Sequence, residues 1–525
     1  MKSFFKVRRL TIVLLIMFIG HGCSDLDENL PSELTTEKSG LNEKEIITLI
    51  GEAYTIMANE GGLGSHNGLW AIHQISSDEF VFPTRGQDRF DGGIWLRIQR
   101  HTFTKYEGAI NNAWGLLFNG VNTSNRLISL FETMAAEGDL SQAKSDLFLG
   151  ELRALRAYYY FWLLDTFGNV PIVTDFETAP ERPPNNTDFD KGRQELFDFI
   201  ESELLDVANL VTDDVATSYG RINKFGVHAL LGKLYLNAEV YTGTPRYEEA
   251  IEQFDIVINS GEFSLMGNYF DNFAVENTNS TENIFVIPFD EVLLPGFNLT
   301  QMTLHFGQQF EFNLLEHPWN GYASLQSFYE SFEDGDVRKN GFLEGPRFDT
   351  NGDPIMDNDL LGIPADTDPA LVLTPEINEL EPNACRQCGV RFAKFEIANG
   401  ESPDKSNDFP LLRYADVLLS KAEAQWRLGT GTPLLIVNDI RERSNAEPFD
   451  ELTADNLLAE RGRELYLEMW RRQDLIRFDG QNGGVTAFND PWEFKDVSDP
   501  NFNVFPIPRE QIVANPNLNQ NPGFE

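Results

Sequence analysis

The chain has 525 residues, more than one core usually serves, so two or more lobes are expected. Asp and Glu number 82 against 41 Lys and Arg, a net charge of −41 that repels phosphate backbones. This argues against a nucleic-acid partner and against docking on an anionic membrane by charge alone. The 41 Phe and an aromatic fraction of 12% argue against disorder.

At the amino terminus Lys2, Lys6, Arg8 and Arg9 precede an apolar run, Leu10 to Ile19, and then Gly20-His-Gly-Cys23. A basic stretch, a short apolar stretch and a small residue before Cys describe a bacterial lipoprotein signal. Residues 1–22 are therefore expected to be removed. Cys23 would then carry acyl chains, each buried CH₂ adding about 0.8 kcal/mol of membrane affinity. The run is too short to span a bilayer. Ser24 to Glu28 form an acidic tether.

Asn42 to Ala58 reads as a first helix, with Ile46, Leu49, Ile50 and Ala53 on one side. From Gly61 to Phe103 glycines and prolines break the pattern, which predicts an exposed loop. Helical spacing returns at Ile110, Trp114, Leu117 and Val121 and runs on to Phe131. Leu147 to Pro171 is the strongest signal. Phe148, Leu152, Leu155, Tyr159 and Trp162 share a face, and Tyr158 to Trp162 is an unbroken aromatic run. One face cannot hide five rings, so this helix should be gripped on several sides, with Ala154 and Ala157 letting a neighbour come close. Gly168 is placed for a C-terminal cap and Pro171 stops the turn.

Glu177 to Asn186 is a connector, and Phe189 to Leu210 is helical. Lys224 to Ala238 pairs with Tyr247 to Ile258, where Leu231-Gly232, Tyr235, Ala250 and Phe254 resemble the residues that lock tetratricopeptide helix pairs. Leu411 to Leu428 with Pro433 to Arg443 is a further pair, followed by one helix over Thr453 to Phe478. Between Gly261 and Asp408 the periodicity fails. Such a length without regular structure suggests an irregular functional lobe, with strands at Asn283 to Phe289 and Val390 to Ile397. The tail is Pro- and Asn-rich and should lie extended.

RALRAYYYFWLLDTFGNVPIVTD from Arg153, HPWNGYASLQSFYESFEDGDVRKNGF from His317, DFPLLRYADVLLSKAEA from Asp408, LLAERGRELYLEMWRRQDLIRF from Leu457 and the tail NVFPIPREQIVANPNLNQNPGF resemble the SusD/RagB family of nutrient-binding outer-membrane lipoproteins. The resemblance implies a mainly α, tetratricopeptide-like helical-repeat scaffold bearing a large irregular loop-rich lobe. It divides the chain into an N-terminal region, 23–260, with repeats and a ligand loop, and a C-terminal region, 261–525. It also implies lipid anchoring at the cell exterior, oligosaccharide as ligand, and a TonB-dependent β-barrel transporter of the SusC type as partner.

Chemistry motifs are sparse. Cys385-Arg-Gln-Cys388 has no second pair to complete a zinc site and no βαβ setting for a redox dithiol. In an exported protein a local disulfide is the expected reading, and two free thiols the alternative. Asp349-Thr-Asn-Gly-Asp353 begins like a calcium loop, but Pro354 and Leu360 break the ligand spacing. Glu333-Asp334-Gly-Asp336 reads as a solvated acidic turn. No metal or cofactor is expected beyond adventitious Ca²⁺. No carboxylate pair is marked out for glycoside hydrolysis, and no nucleophile or nucleotide motif appears.

Sugar binding instead needs exposed rings for the C–H face of a pyranose and flat polar groups for its hydroxyls. The candidates are Trp70, Asp78, Arg85 and Trp95 in the first loop, with Asp88 and Arg89 beside them, and Trp319, Asn320 and Tyr322 in the middle lobe. By resemblance Trp95 and Trp319 fall in ligand-holding segments. For either Trp, burial in the core is an equally good reading, and Ser77-Asp78-Glu79 is as readily a loop brace. The competing functions are a helical-repeat protein adaptor and a glycoside hydrolase.

Overall fold

The computed structural model describes residues 43–59, 61–86, 88–357, 370–479 and 488–525. The signal, Cys23, the acidic tether and Leu360 lie outside them. The chain from Glu43 to Glu525 forms one compact unit.

The scaffold is a run of stacked helices. After α1 (Glu43–Thr55), α2 (Leu69–Ile75) and α3 (Ile94–Gln99) come two long antiparallel helices, α4 (Gly108–Ala136) and α5 (Gln142–Phe167). Then follow α6 (Phe189–Val207), α7 (Lys224–Leu236) and α8 (Tyr247–Ser260). After the middle lobe come α9 (Tyr414–Leu428), α10 (Pro433–Arg443), α11 (Ala454–Leu465) and α12 (Arg471–Phe478).

Helix α5 is buried along nearly its whole final half, aromatic run included. Gly168 closes it at φ +73°, its N–H reaching the carbonyls of Leu163 and Leu164. A Cβ there would strike the Phe189 ring at 2.8 Å, so glycine is required twice over. The close approach falls on the α4 side at Gly120, where a Cβ would lie 2.3 Å from the Tyr159 ring. The pair α7 and α8 is locked in the same way, with Gly232 seated under Phe254.

Helix α8 packs directly on α9, so the helical array runs on across the middle lobe. That lobe is spliced between two neighbours and sewn to the scaffold by short antiparallel ladders, Asn283–Ile287 with Phe409–Arg413 and Phe80–Val81 with Ala323–Ser324, while Phe342–Leu343 with Arg391–Phe392 ties the lobe to itself.

Several expectations need correction. Gly61 to Phe103 is not an open loop: it contains α2 and α3, and most of its apolar side chains are buried. Its glycines mark tight turns in a packed segment. Leu411 to Arg413 belong to a strand, drawn out of the helix by pairing with residues 283–287. The expected helix over Thr453 to Phe478 breaks at residues 466–470, where Leu467 and Met469 take φ +66° and +72°. Trp70 Nε1 donates to the Leu467 carbonyl, and the Leu467 N–H donates to Glu79, so tertiary bonds replace the helical ones. The tail forms a short helix, Arg509–Ala514, within its extended course. Cys385 and Cys388 are disulfide-bonded. Asp336 pairs with buried Arg338, and Glu333 with Arg441, so this turn is braced by ion pairs.

Candidate functional site

The segment 76–97 is anchored before it reaches the surface. Ser76 and Ser77 hydroxyls donate to carbonyls at the end of α2. Asp78 makes a two-pronged ion pair with Arg471, at 2.6 and 2.7 Å. Glu79 is buried and accepts from Gln74 and the Leu467 N–H. Burial pushes its carboxyl up to about 8, the Leu467 N–H and Arg471 offsetting this only in part. The ladder Phe80–Val81 with Ala323–Ser324 then lays this segment beside residues 319–324.

Most of the expected ligand residues turn out to build this junction. Arg85 is buried and donates to the carbonyls of Pro83, Asn320, Gly321, Cys385 and Cys388, stapling three segments. Asn320 sits at φ +52°, buried, its amide joined to Arg391 and the Arg386 carbonyl. Tyr322 is buried against Phe80 and Phe82, and its hydroxyl donates to the His66 carbonyl. Trp70 packs on Phe80 and Tyr322. Trp95 is only 5% exposed, packed at a tilt on Phe82, its indole N–H donating to Asp91 at 2.8 Å. These five residues are corrected from ligand groups to interior ones. Their polar atoms already have protein partners, and the ladder draws both segments inward. Asp78 is partly exposed, but its carboxylate is committed to Arg471.

Trp319 is different. It is partly exposed and held at its edges. The Arg89 Nε donates to the Trp319 carbonyl at 2.8 Å, with the guanidinium carbon 5.7 Å from the ring centroid. His66 meets the indole edge-on at 5.4 Å and is itself 3.1 Å from the Asn298 amide. Among the described residues the two Nη groups of Arg89 have no hydrogen-bond partner. Asp88 lies 3.7 Å away, its carboxyl raised by burial despite Arg89 and Arg85.

Beside Arg89 stands Phe90, 47% exposed. Arg89, Asp91, Gly92 and Gly93 all take positive φ, from +46° to +75°. For Arg and Asp this backbone is costly, by roughly 1–3 kcal/mol each, and such strain collects at functional loops. Partly exposed Trp319 is thus joined to the turn that carries Arg89, whose Nη donors have no partner among the described residues, and exposed Phe90 follows on that turn. That set can stack on an apolar sugar face and bond its hydroxyls. Phe90 and His66 were not expected from the sequence. The signal available for Phe90 was the Arg-Phe-Asp-Gly-Gly run, whose glycines permit a turn that presents the preceding ring.

The comparisons agree with this architecture. The SusD family model matches residues 386–524, and a second model, described as starch-binding and associating with the outer membrane, matches residues 26–236. The starch-binding protein SusD of Bacteroides thetaiotaomicron is 28% identical over 420 residues, covering 71% of this chain and 72% of that one. SusD-like protein P25 of Formosa agariphila is 20% identical over 537 residues, covering 98% of each. Among solved structures, surface glycan-binding protein A of Bacteroides uniformis superposes with a TM-score of 0.72 at 20% identity, covering 91% of this chain and 99% of that one. The Bacteroides thetaiotaomicron protein of the same name, in complex with laminarihexaose, gives 0.70 at 20% identity with the same coverage. The chain belongs to the SusD family.

Proposed function

We propose that this protein binds an oligosaccharide without cleaving it, on the surface formed by Trp319, Phe90 and Arg89. The observation that carries the reading is the partly exposed indole of Trp319, held by Arg89 and His66, with exposed Phe90 next to Arg89 on a strained turn. A ring held before the ligand arrives, as Trp319 is, loses little entropy on binding. The relatives' names support the ligand class: one is a starch-binding protein, and another is solved with laminarihexaose. They also support a binding role over an enzymatic one.

The same reading places the protein on the outer membrane, anchored through acylated Cys23 and facing the exterior. Its partner is a TonB-dependent barrel of the SusC type, to which it passes the captured glycan and over which it closes. Among the described residues no helix is long and apolar enough to cross a membrane.

Calorimetry with starch oligosaccharides and laminarihexaose tests the binding surface. Trp319→Ala is expected to weaken saccharide binding at least tenfold, with melting nearly unchanged. A large fall in melting temperature would return Trp319 to a packing role. A protein adaptor would give no saccharide heat, and a hydrolase would release shorter products. Recovery of no barrel protein on pulldown from outer membranes would sink the transporter partnership.

A further inference from the structure

We infer that the protein carries a second saccharide site, in a cleft at the far end of α3 from Trp95. The cleft has a volume of about 970 Å³. It is walled by residues 100–106, by the turn that follows Trp492 and by Phe502 and Phe524. Nothing in the Trp319 surface uses it, although a saccharide as the ligand class rests on the function proposed above.

Its lining has the two ingredients a pyranose needs. The first is aromatic surface. Phe103, Phe502 and Phe524 pack on one another with ring centroids 4.9 to 6.0 Å apart and form an apolar base. Tyr106 stands at the rim, 62% exposed, steadied by the Arg509 guanidinium 5.8 Å from its ring centroid. Phe494 is held on the wall by a closed turn, in which Trp492 and Lys495 exchange both backbone hydrogen bonds. Phe494 takes φ +65°, a conformation rare for a bulky residue. A strained backbone that presents an aromatic side chain to a cleft is what a binding wall requires.

The second ingredient is a polar rim of hydroxyls, cations and carboxylates. Thr102 and Thr104 are exposed at the cleft, Lys105 donates to the Phe524 carbonyl, and Asp496 and Asp499 face it from the opposite turn. With Arg100 and Glu525 also in the lining, carboxylates outnumber cations, which disfavours an anionic ligand and leaves acceptors for the hydroxyls of a neutral one. Rings with mixed donors and acceptors are the usual lining of a saccharide cleft.

Helix α3 also connects the two places. Trp95 stands at its first turn, Arg100 caps its end, and Gln99 donates to the Glu493 carbonyl in the turn that carries Phe494. A long glycan held at Trp319 thus has a second purchase available on the same body, which raises avidity without strengthening either contact.

Calorimetry on the full chain decides the matter, with laminarihexaose, starch oligosaccharides and a panel of neutral plant and algal oligosaccharides as probes. The expected result is two binding events per chain. Trp319→Ala should remove one, and Tyr106→Ala the other, each by at least tenfold. Val497→Arg, which adds bulk at an exposed cleft position, should reproduce the effect of Tyr106→Ala; both side chains are largely exposed, so neither change cuts into the core. One event that Trp319→Ala abolishes and Tyr106→Ala leaves alone overturns the second site and leaves the first reading standing. One event with the opposite dependence supports the cleft and overturns the Trp319 surface. No heat from any probe overturns both.

Discussion

Two helical segments lie equally deep in this molecule and are built from opposite materials. Helix α5 fills its surroundings with rings: Trp162 stacks on Trp470 at 5.2 Å, and the Tyr159 hydroxyl donates to the Ala53 carbonyl. Helices α11 and α12 fill theirs with charge. Glu460 accepts from Arg338, Arg441 and Arg463, and Glu464 from Arg338, Arg413 and Arg443. Glu423 takes Arg477 and Arg427, while Arg461 lies between Asp416 and Asp474. All of these side chains are buried or nearly so. The contrast shows that depth does not require hydrophobicity. Charge can fill a core where each buried carboxylate meets its guanidinium partners.

The two kinds of core should fail differently. Arg413→Ala leaves Glu282, Glu464 and Glu468 facing one another without their shared cation. Breaking a buried ionic cluster from one side costs about 3–5 kcal/mol. Denaturant unfolding should show a loss of that size, and a loss under 1 kcal/mol would make the network ornamental. Acid should find the same weakness. Burial alone would raise the Glu460 carboxyl, but Arg338, Arg463 and Arg441 outweigh it and bring it down to about 2. A carboxyl lowered on folding stabilises above its unfolded value of about 4.3, and that contribution is lost as pH falls towards 2.

The aromatic core should instead be sensitive to volume and indifferent to acid. Gly120→Ala drives a methyl into the Tyr159 ring, which lies flat against Gly120 where a side chain would stand. Overpacking of this kind costs about 1–3 kcal/mol. Thermal unfolding of this variant should show the loss unchanged between pH 7 and pH 4. A loss that grew with acid would mean that the aromatic core leans on the ionic one.

This contrast also explains what could be read in the sequence. Helix α5 announced itself because apolar spacing and burial coincide there, and Gly168 marked its end. In α11 and α12 they do not coincide: Glu460, Arg461, Glu464 and Arg477 look like a solvated face. Their burial depends on partners as distant in sequence as Arg338 and Glu282. The break at residues 466–470 was hidden for the same reason, since it is enforced by Trp70 and Glu79 from the other end of the chain. At the candidate site Trp319 was legible as a loop aromatic. Arg85 and Asn320 misled, because a polar residue in a Gly- and Pro-rich segment looks like a ligand group until its carbonyl partners are known.

Glu79 is buried like the carboxylates of the ionic core but has no cation bonded to it among the described residues. Its neighbour Asp78 takes Arg471, so among the described residues the Glu79 carboxylate accepts from the Gln74 amide and the Leu467 N–H and from no guanidinium. Burial therefore wins, and the carboxyl is pushed up to about 8. Below the unfolded value of about 4.3 both states hold the proton and the residue is neutral in the balance. Between there and about 8 the folded state keeps a proton that the unfolded state has released, so stability falls as pH rises. The slope is at most about 1.4 kcal/mol per pH unit for one proton. Glu79→Gln keeps the amide-type bonds and removes the titration. Measured by denaturant unfolding from pH 5 to pH 8, the gap between variant and parent should widen in favour of the variant with each unit. Parallel curves would mean that Glu79 is ionised in the folded protein and that a cation, Arg471 foremost, serves both carboxylates after all.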